Sequence, residues 1–115
     1  TGKKEQGLDE KFLERVMNHL EANYQNDRYG IQQLHADLGI SRVQLHRKLT
    51  ALTGQSSSEF IRNFRLLKAK KLLLESNRNV SEIAYEVGFR DANYFSKSFI
   101  QEFGLNATRL RELFL

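Results

Sequence analysis

The chain has 115 residues, enough for one ordinary domain, and its 40% apolar and 28% charged residues are typical of a soluble globular protein rather than a disordered or membrane protein. It has no cysteine, which excludes disulfides, thiolate metal sites and a cysteine nucleophile. Its three histidines are too widely spaced to share one helix face, so we predict neither a metal site nor a cofactor.

The net charge of +4 is concentrated in the C-terminal part, because residues 1–29 carry −1 and residues 30–115 carry +5. With an isoelectric point near 9.5, this charge indicates an anionic partner. No apolar run approaches the roughly 20 residues that span a bilayer, and the start shows no signal-peptide pattern, so we expect no membrane contact and a cytoplasmic location. The polar run Asn23–Gly30 marks a boundary between a lead-in at 1–29 and a main domain at 30–115.

The absence of proline and the scarcity of glycine predict an all-α fold of about seven helices. We expect the first helix to be capped by Asp9, with Leu8 and Leu13 as a hydrophobic staple. Its apolar stripe is formed by Phe12, Leu13, Val16, Met17 and Leu20.

Six further helices are predicted from capping residues at their starts and glycines at their ends. Capping boxes are expected at Ser41–Gln44, Ser56–Glu59 and Asn79–Glu82, and single caps at Asp91 and Asn106. Left-handed glycines that follow helices are expected at Gly39, Gly54, Gly88 and Gly104. The resulting helices cover about 31–38, 41–53, 57–75, 79–87, 91–103 and a short segment after 106.

Two stretches of the chain repeat one pattern about 50 residues apart. At an offset of 49, the matches are Leu34 with Ile83, Leu38 with Val87 and Gly39 with Gly88. At an offset of 50, they are Leu45 with Phe95, Leu49 with Phe99 and Gly54 with Gly104. Each unit is a short helix, a glycine turn and a longer helix, which is the arrangement of a helix-turn-helix. The units cover about 31–54 and 79–104, and the long helix at 57–75 joins them.

The second helix of each unit leaves a polar or cationic face opposite its core. The expected core positions are Leu45, Leu49, Leu52, Phe95 and Phe99. The remaining faces carry Arg42, Val43, Gln44, His46, Arg47 and Lys48 in the first unit, and Ala92, Asn93, Tyr94, Ser96, Lys97 and Ile100 in the second. A recognition helix needs such side chains to reach base edges, whereas a plain helical bundle does not.

The long helix at 57–75 begins with groups suited to phosphate. Free amides near Ser57 and Ser58, together with the side chain of Arg62, are predicted to contact DNA phosphate. Three lysines further along are expected to form a solvated face: Lys68, Lys70 and Lys71. The helix would span about 28 Å, which suits two recognition helices about 34 Å apart on a duplex.

The segment NVSEIAYEVGFRDANYFSKSFIQEFG, and to a lesser degree SRVQLHRKLTALTGQSSSEFIRNFRL, resembles the DNA-binding domain of AraC/XylS-type transcription activators. The similarity covers about Gly30–Phe114. The segment LHRKLTALTGQ and the earlier segment LDEKFLERVMNHLEANYQN are similar to output domains of hybrid two-component regulators of gut Bacteroidetes. The resemblance implies a bacterial transcription regulator that binds double-stranded DNA sequence-specifically.

Carried over to this chain, the resemblance implies that helices 41–53 and 91–103 read bases in successive major grooves. The implied base readers are Arg42, Val43, His46, Arg47, Ala92, Asn93, Ser96 and Lys97. The phosphate contacts predicted from the residues themselves are Ser57, Ser58, Arg62 and, unless its ring packs in the core, Tyr94. Arg47 suits guanine O6 and N7, and Asn93 suits adenine. His35 is expected to be half-buried and hydrogen-bonded rather than a ligand.

The chain lacks a start methionine and a sensing module, so we expect a C-terminal fragment of a larger regulator that dimerises through parts not present here. The alternative class is a protein-interaction adaptor that docks through helix 57–75 and Ile100. The basic, acid-free helix 41–53 argues against that alternative. The sequence carries no catalytic triad, paired carboxylates or phosphate loop, so we predict no enzymatic activity.

Overall fold

The computed structural model describes residues 2–114, with side chains from residue 6 onward. Within that range the chain forms seven α-helices and no strand, which confirms the predicted all-α fold. In chain order they are α1 (Gly2–Asn23), α2 (Ile31–Leu38), α3 (Arg42–Thr53), α4 (Ser57–Glu75), α5 (Val80–Glu86), α6 (Ala92–Phe103) and α7 (Ala107–Leu113). None of these described helices combines the length and the apolar character that crossing a bilayer requires.

Local capping explains where α3 and α4 begin. The Ser41 hydroxyl accepts from the Gln44 amide at 3.1 Å, and the Gln44 side chain accepts from the Ser41 amide at 3.0 Å. Ser56 and Glu59 exchange the same pair of bonds ahead of α4. These bonds satisfy amides that a helix N-terminus leaves unpaired, and they confirm both predicted capping boxes. The glycines predicted to follow helices all have positive φ: Gly39, Gly54, Gly88 and Gly104.

Two predicted helix starts differ from the structure. α1 begins at Gly2, so Asp9 lies inside the helix and the predicted cap and staple are wrong. Leu8, the proposed staple residue, is 59% exposed. The residues before Asp9 include lysine, glutamate and glutamine, which favour helix, so the helix extends past the capping residue. At α5, Asn79 accepts from the Ser81 amide at 2.7 Å, a single cap in place of the predicted capping box.

The described chain folds into two compact units and passes between them three times. The first unit contains α1, α2, α3 and the beginning of α4 up to Ile61. The second contains the segment Tyr24–Arg28 and the chain from Arg62 onward. Each unit therefore holds one of the two predicted helix-turn-helix pairs, α2–α3 in the first and α5–α6 in the second. The boundary placed near residue 30 stays a prediction.

In the first unit, apolar side chains at helical spacing on three helices are buried. α1 supplies Phe12, Val16 and Leu20, whereas Met17, predicted in the same stripe, is 43% exposed. α2 and α3 supply leucines four positions apart: Leu34, Leu38, Leu45 and Leu49. Because side chains four positions apart share a helix face, the two buried leucines of α3 decide which of its faces points outward.

The second unit has a core rich in aromatic rings. Phe95 and Phe99 on α6 are fully buried. The ring centroid of Phe95 lies 5.1 Å from that of Phe89 and 5.6 Å from that of Phe99. The other buried members come from α4, from α5 and the residue after it, and from α7: Leu66, Ala69, Leu73, Ile83, Ala84, Val87, Ala107 and Leu110. The buried phenylalanines thus orient α6 in its unit as the leucines orient α3.

Candidate nucleic-acid interface

The outward face of α3 carries the side chains predicted to read bases in the first unit. Leu45 and Leu49 have 0% exposure and mark the buried side of the helix. The four predicted base readers are all exposed: Arg42, Val43, His46 and Arg47. This exposed face therefore offers another molecule two guanidinium groups, an imidazole and one apolar side chain.

α6 repeats this arrangement in the second unit, opposite its buried phenylalanines. Asn93, Ser96 and Lys97 are exposed, and Ala92 is half-buried at the start of the helix. Asp91 caps the helix by accepting from the Asn93 amide at 2.8 Å, as predicted. The capping bond holds the first turn of α6, which is the turn that carries the predicted base readers Ala92 and Asn93.

Tyr94 lies at the edge of the α6 surface. Its side chain is 51% exposed, and its ring centroid lies 6.0 Å from that of Phe89. Of the two roles left open for this residue, the core role is therefore wrong. Tyr94 therefore packs against Phe89 and keeps about half of its surface open to solvent.

A surface pocket of about 320 Å³ lies beside the start of α3 in the first unit. Its lining brings three predicted base readers together with both serines predicted to contact phosphate. The lining residues are Ile31, Arg42, Val43, His46, Ser56, Ser57 and Ser58. Ile31 is the one apolar neighbour of Val43 in this set, and nothing in the sequence pattern indicates it because it belongs to a different helix.

The start of α4 forms one side of this pocket. Ser58 is exposed, whereas Ser57 is 3% exposed. Among the described residues the Ser57 hydroxyl has no hydrogen-bond partner. The first amides of a helix have no intrahelical acceptor and carry the positive end of its dipole. The pocket is therefore suited to an anion, because the start of α4 lines it together with the side chains of Arg42 and His46.

Arg62 lies one turn further along α4 and belongs to the second unit. It is half-buried, and its Nε atom donates to the Asn63 side-chain oxygen at 3.4 Å. This bond is long for an N–H donor, so it restrains the guanidinium weakly. The predicted phosphate contact of Arg62 stays a prediction.

His35 holds the turn between α2 and α3. Its Nδ1 atom lies 3.0 Å from the carbonyl oxygen of Ile40, and its Nε2 atom lies 2.9 Å from the Gln32 side-chain oxygen. Because a carbonyl oxygen only accepts, Nδ1 carries a proton and donates to Ile40. The side chain is half-buried, which confirms the predicted hydrogen-bonded role. This bond secures the turn immediately before the N-cap of α3.

Two lysines expected to be solvated lie over aromatic rings instead. The amine of Lys68 is 5.3 Å from the ring centroid of Tyr24 and 5.5 Å from that of Phe64. The amine of Lys70 is 5.1 Å from the ring centroid of Phe103. Both lysines are half-buried, so the prediction of a solvated face is wrong for them. Attraction between a cation and an aromatic face accounts for their position.

Residues 34–113 match a family model described as a helix-turn-helix domain. The chain is 36% identical over 96 residues to a Formosa agariphila protein named histidine kinase P4, and the match covers 84% of this chain and 7% of that protein. It is 41% identical over 73 residues to the HTH-type transcriptional activator RhaS of Salmonella arizonae, covering 64% of this chain and 26% of that protein. The chain thus spans only a small part of these curated relatives.

Solved structures show the same fold. One is the C-terminal domain of the two-component response regulator yesN from Fusobacterium nucleatum, with a TM-score of 0.80, 28% identity, and coverage of 88% of this chain and 98% of that chain. Another is the DNA-binding domain of AdpA, a global transcriptional factor, in complex with a target DNA. That structure has a TM-score of 0.80 and 25% identity, with coverage of 88% of this chain and 90% of that chain.

Proposed function

The chain belongs to the AraC-type family of helix-turn-helix domains, and from this membership we propose that it binds a specific site in double-stranded DNA, with α3 and α6 in successive major grooves. The observation that carries the proposal is the same in both units. Each recognition helix is anchored by two buried residues, and its opposite, polar face is exposed. The buried residues are Leu45 and Leu49 on α3, and Phe95 and Phe99 on α6. A helix presented in this way can enter a groove without losing its own packing.

The proposed base readers differ in the groups they offer. Arg47 has a planar fork that matches the O6 and N7 acceptors of guanine, and the amide of Asn93 matches N6 and N7 of adenine. Val43 and Ala92 offer apolar contact with a thymine methyl group. The others offer single hydrogen bonds or a cation: Arg42, His46, Ser96 and Lys97.

Phosphate contacts are proposed at the start of α4, through the amides of Ser57 and Ser58 and the side chain of Arg62. In the second unit the hydroxyl of Tyr94 has this role. Support comes from the exposure of Tyr94 and from the pocket that Ser57 and Ser58 line together with Arg42. Contacts of this kind set the register of a protein on the duplex without reading sequence.

The wider protein is proposed to be a transcription regulator of which this chain is the DNA-binding output domain. The relatives include a protein named as a histidine kinase and the domain of a response regulator, which supports a hybrid two-component regulator. Dimerisation would then lie in parts outside this chain. A non-enzymatic role in the cytoplasm, where bacterial DNA is found, completes the proposal.

Selection of random duplex DNA on the immobilised chain tests the proposed function. We expect enrichment of one sequence class, with bound duplexes released by salt because phosphate contacts supply much of the affinity. The matched control is the double variant Arg47→Ala with Asn93→Ala, which keeps the core and removes two base-reading groups. Absence of binding to any duplex at low salt, or equal enrichment from both proteins, contradicts the proposal.

A further inference from the structure

The segment Tyr24–Arg28, here called the strap, joins α1 to α2 but belongs to the second compact unit. Both helices that flank it in sequence belong to the first unit. A connection of this length can link two helices without contacting any other part of the protein. Its contacts within the second unit therefore need an explanation other than chain connectivity.

Arg65 on α4 holds the strap by its backbone. Its Nε atom donates to the carbonyl oxygen of Tyr24 at 2.9 Å, and a terminal nitrogen donates to that of Asn26 at 3.0 Å. One planar guanidinium thus fixes two carbonyl groups of the same segment, which a lysine amine could not match in geometry. Burial lowers the pKa of Arg65, and the charge of Asp27 acts in the opposite direction.

The strap lies directly against the turn of the second helix-turn-helix. Gly88 in that turn has a φ of +101°, and a Cβ added there would collide with the Tyr24 carbonyl oxygen and come within 2.6 Å of Arg65 Nε. Only glycine combines this backbone angle with so close an approach. The space that a side chain would need at residue 88 is therefore filled by the Tyr24 carbonyl oxygen and the Arg65 guanidinium.

A second link joins the strap to the end of the same turn. The Nε atom of Arg90 donates to the Asp27 carbonyl oxygen at 3.3 Å and lies 3.9 Å from the Asp27 carboxylate. Arg90 is followed by Asp91, the N-cap of α6. The strap thus contacts the turn at Gly88 and again at the residue immediately before the recognition helix begins.

We propose that the strap positions the second recognition helix, and that Arg65 and Asp27 are the positioning residues that hold it against the turn Gly88–Asp91. Neither residue needs to touch DNA for this role. The inference rests on the proposed function, because α6 must read DNA for its position to matter there. The strap then supports DNA binding by the second helix-turn-helix, although it lies far from α6 in sequence.

The test compares Arg65→Ala, Arg65→Lys and Asp27→Asn with a matched control, Arg109→Ala. Arg109 forms an exposed pair with Glu112 on α7, so its loss removes an arginine of the second unit without involving the strap. All variants are compared at a temperature at which circular dichroism shows each to be fully folded. Asp27→Asn keeps the backbone contacts of the strap and removes only the carboxylate.

The first readout is hydrogen exchange in the free protein. We expect faster exchange of the amides of residues 88–94 in Arg65→Ala, a smaller increase in Arg65→Lys and Asp27→Asn, and no change over residues 41–49 of the first unit. Arg65→Lys should show the smaller increase because its amine can still donate to one of the two strap carbonyl groups. Equal increases over both ranges would indicate general destabilisation and would overturn the proposal, as would unchanged exchange over residues 88–94.

The second readout is a hydroxyl-radical footprint on the duplex selected by the wild-type chain. We expect Arg65→Ala to lose protection over the α6 segment, to keep it over the α3 segment, and to bind about tenfold more weakly or worse. If the wild type protects two segments and Arg65→Ala keeps both, this inference fails while the proposed function stands. If the wild type protects no segment, the proposed function fails and this inference fails with it.

Discussion

Arg47→Ala removes a guanidinium from the exposed face of α3, opposite the buried Leu45 and Leu49. Because truncation there opens no cavity, we expect the free energy of unfolding to change by less than about 0.5 kcal/mol. A bidentate contact between arginine and guanine contributes about 1–3 kcal/mol of discrimination. The variant should therefore bind the preferred duplex about 5- to 150-fold more weakly and lose its preference at one base pair.

Two further variants separate base reading from charge. Arg47→Lys keeps the positive charge but loses the planar fork, so it should keep much of the salt-dependent affinity and still lose the base preference. Arg62→Ala should weaken binding to all sequences by a similar factor and reduce the slope of log affinity against log salt by about 1. Its bond to Asn63 is long at 3.4 Å, so we expect little loss of stability.

Fluorescence anisotropy measures these effects with the preferred duplex and with duplexes changed at one base pair each. Titrations at about 50 and about 200 mM salt give the slope for each variant. Thermal melting without DNA checks that each variant is folded. If Arg47→Ala keeps the wild-type preference at every base pair, Arg47 is not a base reader. If Arg62→Ala unfolds the domain, Arg62 is a structural residue and not a phosphate contact.

Three other predictions concern the whole domain. If about six phosphates are neutralised, log affinity should fall against log salt with a slope near −5 in anisotropy titrations, and a flat dependence would contradict the proposed mode of binding. Footprinting should show two protected segments with centres about 10 bp apart, the first contributing more specificity because α3 carries more donors. Protection of one segment alone would make the second unit a structural support. Ser41→Ala removes the hydroxyl that accepts from the Gln44 amide, and should lower the free energy of unfolding by about 1 kcal/mol in urea titrations. An unchanged midpoint would show that this cap contributes little.

Several features that depend on neighbours a few residues away could be predicted from the sequence alone. Ser41 reaches Gln44 within one helical turn, and Gly54 ends α3 because its backbone adopts a positive φ. The leucine spacing of α3 likewise predicted which side chains are exposed. The error at Asp9 also has a local cause, since a capping residue competes with the helix propensity of the residues before it.

The contacts between distant parts of the chain could not be predicted in this way and become apparent only in the folded structure. The pocket gathers residues from three helices, among them Ile31, Val43 and Ser58. The strap brings the Tyr24 carbonyl to Arg65, 41 residues away. Every residue carries a carbonyl group, so no sequence pattern marks one of them as the acceptor for a particular arginine. Such partners are chosen by how the helices pack, which brings a given carbonyl within hydrogen-bonding distance only once the core has formed.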